Sequence, residues 1–140
     1  MTKPRYFPHY SSFSEQLSNQ SRYSQTVRIG NRIECSGQGG WDDSGAIPTS
    51  LAAEFDQAFA NVDACLRSAG AKGWSDVYRI NLYTTHLSEA VEVWEPCVLK
   101  WLGPEHRPLL TAVGVAALAL PGMRVEIEVV ALTEDDQGRE

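Results

Sequence analysis

Between Leu51 and Ala69 the apolar side chains Phe55, Ala58, Phe59, Val62, Cys65, Leu66 and Ala69 recur at spacings of three and four, the repeat of one stripe along an α-helix. A helix with one apolar stripe must bury it, and the neighbouring sequence says against what. Before it, Val27, Ile29, Ile33 and Cys35 alternate with polar residues; after it, Tyr78, Ile80 and Leu82 do the same. Alternation is the repeat of a strand with two unlike faces, so helices are predicted to lie on a sheet. Thr49 or Ser50 can cap this helix, Glu54 suits its first turn, and Gly70 stands where a helix end favours a left-handed residue. Asn61 on its surface is read as bonding to neighbouring backbone.

The remaining elements follow from the same rules. Gly30-Asn31 predicts a tight turn joining two strands into a hairpin. Residues 36–45 form a glycine-heavy loop that can approach a ligand closely, with Trp41 as a wall for a flat molecule or as loop packing. A second helix is predicted from Ser88, with Val91, Trp94, Val98, Trp101 and Leu102 on one face and a kink or restart at Pro96. Strands close the chain at 109–117 and 124–132. The second strand places Val125, Ile127, Val129 and Ala131 on one face and Glu126, Glu128 and Val130 on the other. Residues 1–20, with Tyr6, Phe7, Tyr10 and Phe13 among polar residues, read as an N-terminal arm without regular structure; residues 21–132 form the domain, and 133–140 a flexible acidic tail.

A chain of 140 residues suits one domain, and a formal net charge of -6 with no basic cluster argues against a nucleic-acid partner. No apolar run is long enough to cross a membrane. Cys35, Cys65 and Cys97 are odd in number and widely spaced, which fits reduced thiols in a cytoplasmic protein. No phosphate-binding loop, dinucleotide fingerprint or metal-ligand spacing appears, so neither cofactor nor metal is expected. Hairpin, helix, strand, helix, strand, strand predicts an α+β domain, a mixed sheet with two helices packed on one face. The other face would carry Glu126 and Glu128, and burying carboxylates without partners is costly. A wet cleft between subunits resolves that conflict.

The stretch His106-Arg107-Pro108-Leu109-Leu110-Thr111-Ala112-Val113-Gly114-Val115, then Leu120-Pro121 and Val125-Glu126-Ile127-Glu128-Val129, is joined by Tyr23-Ser24-Gln25 and Ser36-Gly37-Gln38 near the front. Together these resemble the RidA (YjgF-type) family of reactive enamine/imine deaminases, over roughly residues 15–132. The resemblance implies a chorismate-mutase-like fold and a homotrimer with sites between adjacent subunits. It also implies a pocket in which Tyr23 is the family tyrosine, Gly37 and Gln38 belong to the loop after the second strand, and Glu126 is the glutamate that positions or activates water. Active members carry an arginine two residues after the proline, and here that residue is Leu110; Ala112 falls where many members have cysteine. One extra residue before Glu126 leaves a second register open, in which Thr111 takes the arginine position.

The missing guanidinium would hold a substrate carboxylate through two charge-assisted bonds. Leucine favours an apolar group instead, so the expected activity is on a small neutral or apolar imine, enamine or related unsaturated metabolite. Glu126 and Tyr23 would supply acid/base chemistry for hydrolysis, tautomerisation or cyclisation. Leu110, Thr111, Ala112, Gly37, Gln38 and Trp41 would contact the ligand. Two alternatives remain: a non-catalytic trimer that binds a small molecule, and deamination of 2-iminopropanoate or 2-aminoacrylate with the arginine relocated to Arg107 or Arg124.

Overall fold

The computed structural model describes residues 2–134. A mixed sheet of six strands runs in the order β1-β2-β3-β6-β4-β5. Its strands are β1 (Arg5–Phe7), β2 (Thr26–Ile29), β3 (Arg32–Cys35), β4 (Val77–Thr84), β5 (Leu109–Gly114) and β6 (Val125–Leu132), and its helices are α1 (Ser12–Ser21), α2 (Leu51–Ser68) and α3 (Leu87–Trp101). Only β4 and β5 are parallel, because α3 carries the chain back across the sheet between them. This is the expected α+β architecture, enlarged by one strand and one helix.

The predicted stripe of α2 is the core. Phe55, Ala58, Phe59, Val62, Cys65 and Leu66 are fully buried against Ile33, Val125, Ile127, Val129 and Ala131 of the sheet. Ser50 caps the helix by accepting the amide of Ala53 at 3.1 Å, and Gly70 takes φ +98° just past its end. The Trp74 ring stacks on Phe59 at 4.7 Å while its indole N–H donates to the Phe59 carbonyl, so this large side chain is buried with its polar atom satisfied.

Four local expectations are corrected. The segment 1–20 is not structureless: β1 pairs with β2 through Phe7 and Thr26, and α1 begins at a capping box in which Ser11 and Ser14 satisfy each other's backbone amides. In β4 a bulge after Val77 changes the register, so Val77 is buried and Tyr78 points out. Helix α3 runs unbroken through Pro96, and Val91 is 73% exposed because Ala90 and Cys97 mark its buried stripe. In β2 the buried face carries Thr26 and Arg28, not Val27 and Ile29. Arg28 tolerates this because its guanidinium donates to the carbonyls of Gly30 and Ala69. Of the acidic tail, Thr133 bonds Asn31 and Glu134 pairs with Lys72; residues 135–140 lie outside the described residues.

The sheet face away from α2 carries Val27, Ile29 and Glu34 from the hairpin, Asn81 and Tyr83 from β4, and Glu126, Glu128 and Val130 from β6, all half-buried. At its edge every residue of β5 is exposed, Leu109 and Leu110 by 57% and 46%.

Candidate functional site

Three segments distant in sequence meet on this open face. The loop after β3 is tied to β6 by reciprocal backbone bonds between Gln38 and Ile127 at 2.8 and 2.9 Å, which lays Gly37 against Glu126. Ser36 reaches back to the start of β2, donating its amide to the Gln25 carbonyl and its hydroxyl to the Ser24 carbonyl, both at 2.8 Å. Tyr23 arrives from the end of α1, where its carbonyl accepts the Ser18 hydroxyl at 2.6 Å. The structure thus brings Tyr23, Gly37 and Glu126 together.

Gly37 is required by Glu126. A Cβ on Gly37 would stand 2.6 Å from Glu126 Cδ, far inside contact distance. Gly37→Ala is therefore expected to push the carboxylate aside and lower turnover about tenfold or more, with little change in thermal midpoint because only a half-buried side chain must move. Steady-state kinetics beside a melting curve checks this.

Burial pushes the Glu126 carboxyl above its ordinary range, and the charge of Glu128 two residues along the strand pushes it further. Glu128 is held differently, accepting Tyr83 Oη at 2.6 Å and Asn81 Nδ2 at 3.1 Å. The Tyr23 phenol is raised by burial, relieved by a hydrogen bond from Gln25, and raised again by the charge of Glu126. A carboxyl whose proton affinity is raised thus stands beside a phenol whose proton affinity is raised as well.

A cleft of about 600 Å³ opens beside these groups, lined by Tyr6, Arg22, Tyr23, Ser24, Ser36 and Glu128 among others. Gly37 and Glu126 adjoin this cleft without being among its lining residues, and Gln38 and Trp41 do not line it either. Gln38 is fully buried with its amide bonded at both ends, and Trp41, 4% exposed, packs with Leu17 and Met123, tilted against Phe13. Both frame the site from behind. Strand register also separates the β5 candidates: Thr111 pairs with Asn81 on the face of Glu126, whereas Leu110 and Ala112 pair with Ile80 and Leu82 on the helix-side face. Within one chain, Leu110 and Glu126 do not meet. Among the described residues no three His, Cys, Asp or Glu side chains converge as a metal site requires.

Three arginines stand at different places relative to this cleft. Arg124 is committed elsewhere: its Nε pairs with the fully buried carboxylate of Glu54 and a terminal nitrogen donates to Pro48 and Thr49 carbonyls. Arg107 lines a groove with Trp94, Leu99 and His106 at the end of α3. Arg22, which the sequence reading passed over, lines the cleft next to Tyr23 and is the only non-glycine residue among those described with positive φ, at 56°. Nothing in its neighbours' identity signals that geometry; it follows from the way α1 ends.

The family model for endoribonuclease L-PSP matches residues 13–133. The chain belongs to this family. A 2-iminobutanoate/2-iminopropanoate deaminase of Dermatophagoides farinae is 32% identical over 114 residues, covering 80% of this chain and 86% of that protein. The crystal structure of RidA from an Antarctic Psychrobacter is 35% identical, with TM-score 0.72 over 79% of this chain and 87% of that one. A Mycobacterium tuberculosis member of the YjgF/YER057c/UK114 family is 31% identical, with TM-score 0.76 over 94% of this chain and all (100%) of the other. The sequence resemblance to RidA and YjgF proteins is therefore upheld. Family membership and these relatives support imine/enamine deaminase activity in general terms. No helix among the described residues is long and apolar enough to cross a membrane.

Proposed function

We propose that the chain hydrolyses small, short-lived imines and enamines, at clefts completed by neighbouring copies in a homotrimer. The observation that carries this reading is a half-buried Glu126 with raised proton affinity, seated on Gly37 and close enough to Tyr23 for its charge to act on the phenol. Water adds to the carbon of the C=N bond as Glu126 takes its proton, and a proton reaches the nitrogen. The carbinolamine then collapses to a carbonyl compound and ammonia. The uncovered face, with Val27, Ile29 and Val113 beside two carboxylates, suits a subunit contact that buries the apolar residues and leaves the acids wet.

The charge of the substrate divides two readings. Within one chain Leu110 lies on the opposite face from Glu126. A neutral or apolar molecule is favoured if a neighbouring copy closes the cleft with its β5, which carries Leu110 in place of the family arginine. Arg22 favours the other reading, a carboxylate-bearing 2-imino acid, because it is the arginine that lines the cleft. Ammonia and 2-oxo acid release from a 2-imino acid generated in place by an amino-acid oxidase tests the reaction, and a rate no faster than spontaneous decay overturns it. Arg22→Ala should lower kcat/KM for that substrate about tenfold, the scale of one exposed charge-assisted contact at roughly 1.4 kcal/mol, and lower it less for a neutral imine. Equal falls for both would return the choice to Leu110.

A further inference from the structure

We infer that Gln25 is a positioning residue that fixes the direction of the Tyr23 hydroxyl, so that Tyr23 faces the cleft as a hydrogen-bond donor. This rests on the reading of Tyr23 as a site residue and adds the sense of its proton.

A side-chain amide can turn either way, so its polarity must be set by partners that accept only. Gln38 Nε2 lies 3.0 Å from the Ser36 carbonyl, which can only accept, so that atom is the donor end. Its other proton goes to Gln25 Oε1 at 2.8 Å, and its Oε1 accepts the Tyr10 hydroxyl at 2.6 Å. Gln25 is thereby oriented: its oxygen is used and its Nε2 donates to the Ser14 carbonyl at 3.4 Å and to Tyr23 Oη at 3.1 Å. Two backbone carbonyls, those of Ser36 and Ser14, impose the same sense on the chain Tyr10, Gln38, Gln25, Tyr23. Both glutamines are fully buried, where neither can exchange a partner for water.

Tyr23 receives a proton from within and cannot give its own back along that path. Its O–H is left for the cleft, where an imine nitrogen or a developing oxyanion would accept it. Tyr10, whose phenol proton is spent on Gln38, is excluded from that role although it lies nearby. The assignment separates two duties on one site: Glu126 takes the proton of water and Tyr23 donates.

The sign of one titration tests this. With 13C-labelled tyrosine in the intact protein, Tyr23 assigned by its loss in Tyr23→Phe, Gln25→Leu should raise the Tyr23 pKa, because the donor that favours phenolate is gone; a Gln25 that accepted from Tyr23 would give a fall. A fall or no change overturns the inference. In the same variant kcat should drop about tenfold with KM little altered. Should Gln25→Leu not fold, the unmodified protein decides: a slowly exchanging Gln25 amide proton with a nuclear Overhauser contact to the Tyr23 ring is expected, and its absence overturns the proposal. If the unmodified protein lacks imine hydrolysis, the titration still stands alone, so failure of the activity and failure of the relay are told apart.

Discussion

Glu126→Gln should lower kcat for imine hydrolysis by about a hundredfold or more, the scale of a positioned general base, with KM and quaternary state unchanged. Glutamine keeps the shape that rests on Gly37 and removes only the ability to take a proton. The pH dependence follows from the direction of the shift. A carboxyl raised by burial and by Glu128 is ionised only above its displaced pKa, so turnover in the unmodified protein should rise with pH through that value, and the limb should vanish in the variant. Stability should move the opposite way. Between the unfolded and the raised folded pKa the native state binds more protons, so unfolding free energy falls as pH rises across that window. Glutamine escapes this, and its melting midpoint at neutral pH should exceed that of the unmodified protein. A variant that is slower and less stable would mean that Glu126 holds structure, not chemistry.

The largest loss of stability should come from Arg124→Met. Glu54 is fully buried in α2, accepting both the guanidinium and the backbone amide of Arg124. Taking away the cation strands a charge out of water, a change typically costing about 3 to 5 kcal/mol. For a domain of this size that is a midpoint lower by about 10 to 20 °C, read by calorimetry. Glu54→Leu combined with Arg124→Met should recover much of the loss, since a matched apolar pair leaves no buried charge. Because β6 begins beside Arg124, Glu126 is placed by this same anchor.

The elements that rest on a single repeat could be read from the chain: the α2 stripe, the β6 alternation and the hairpin turn each announce themselves in one dimension. Where two influences compete, the repeat misleads. Alternation in β2 suggests that Val27 and Ile29 face the helices, but both sheet faces have apolar demands, and Arg28 could be buried once the carbonyls at the end of α2 were there to receive it. At the front, β1 exists because β2 offers it an edge, and α1 because Ser11 and Ser14 cap each other; neither has a strong apolar pattern. Of the site, Tyr23, Gly37 and Glu126 were visible through family likeness. Arg22 and Gln25 were not, since one depends on a helix ending in left-handed backbone and the other on partners eleven and thirteen residues away.

Tyr10 and Ser14 lie just ahead of and within the first turn of α1, far in sequence from Glu126, yet they terminate the hydrogen-bond chain that orients Tyr23. A substitution at Tyr10, ahead of the residues the family model matches, would therefore disturb the orientation of Tyr23 without touching the cleft itself.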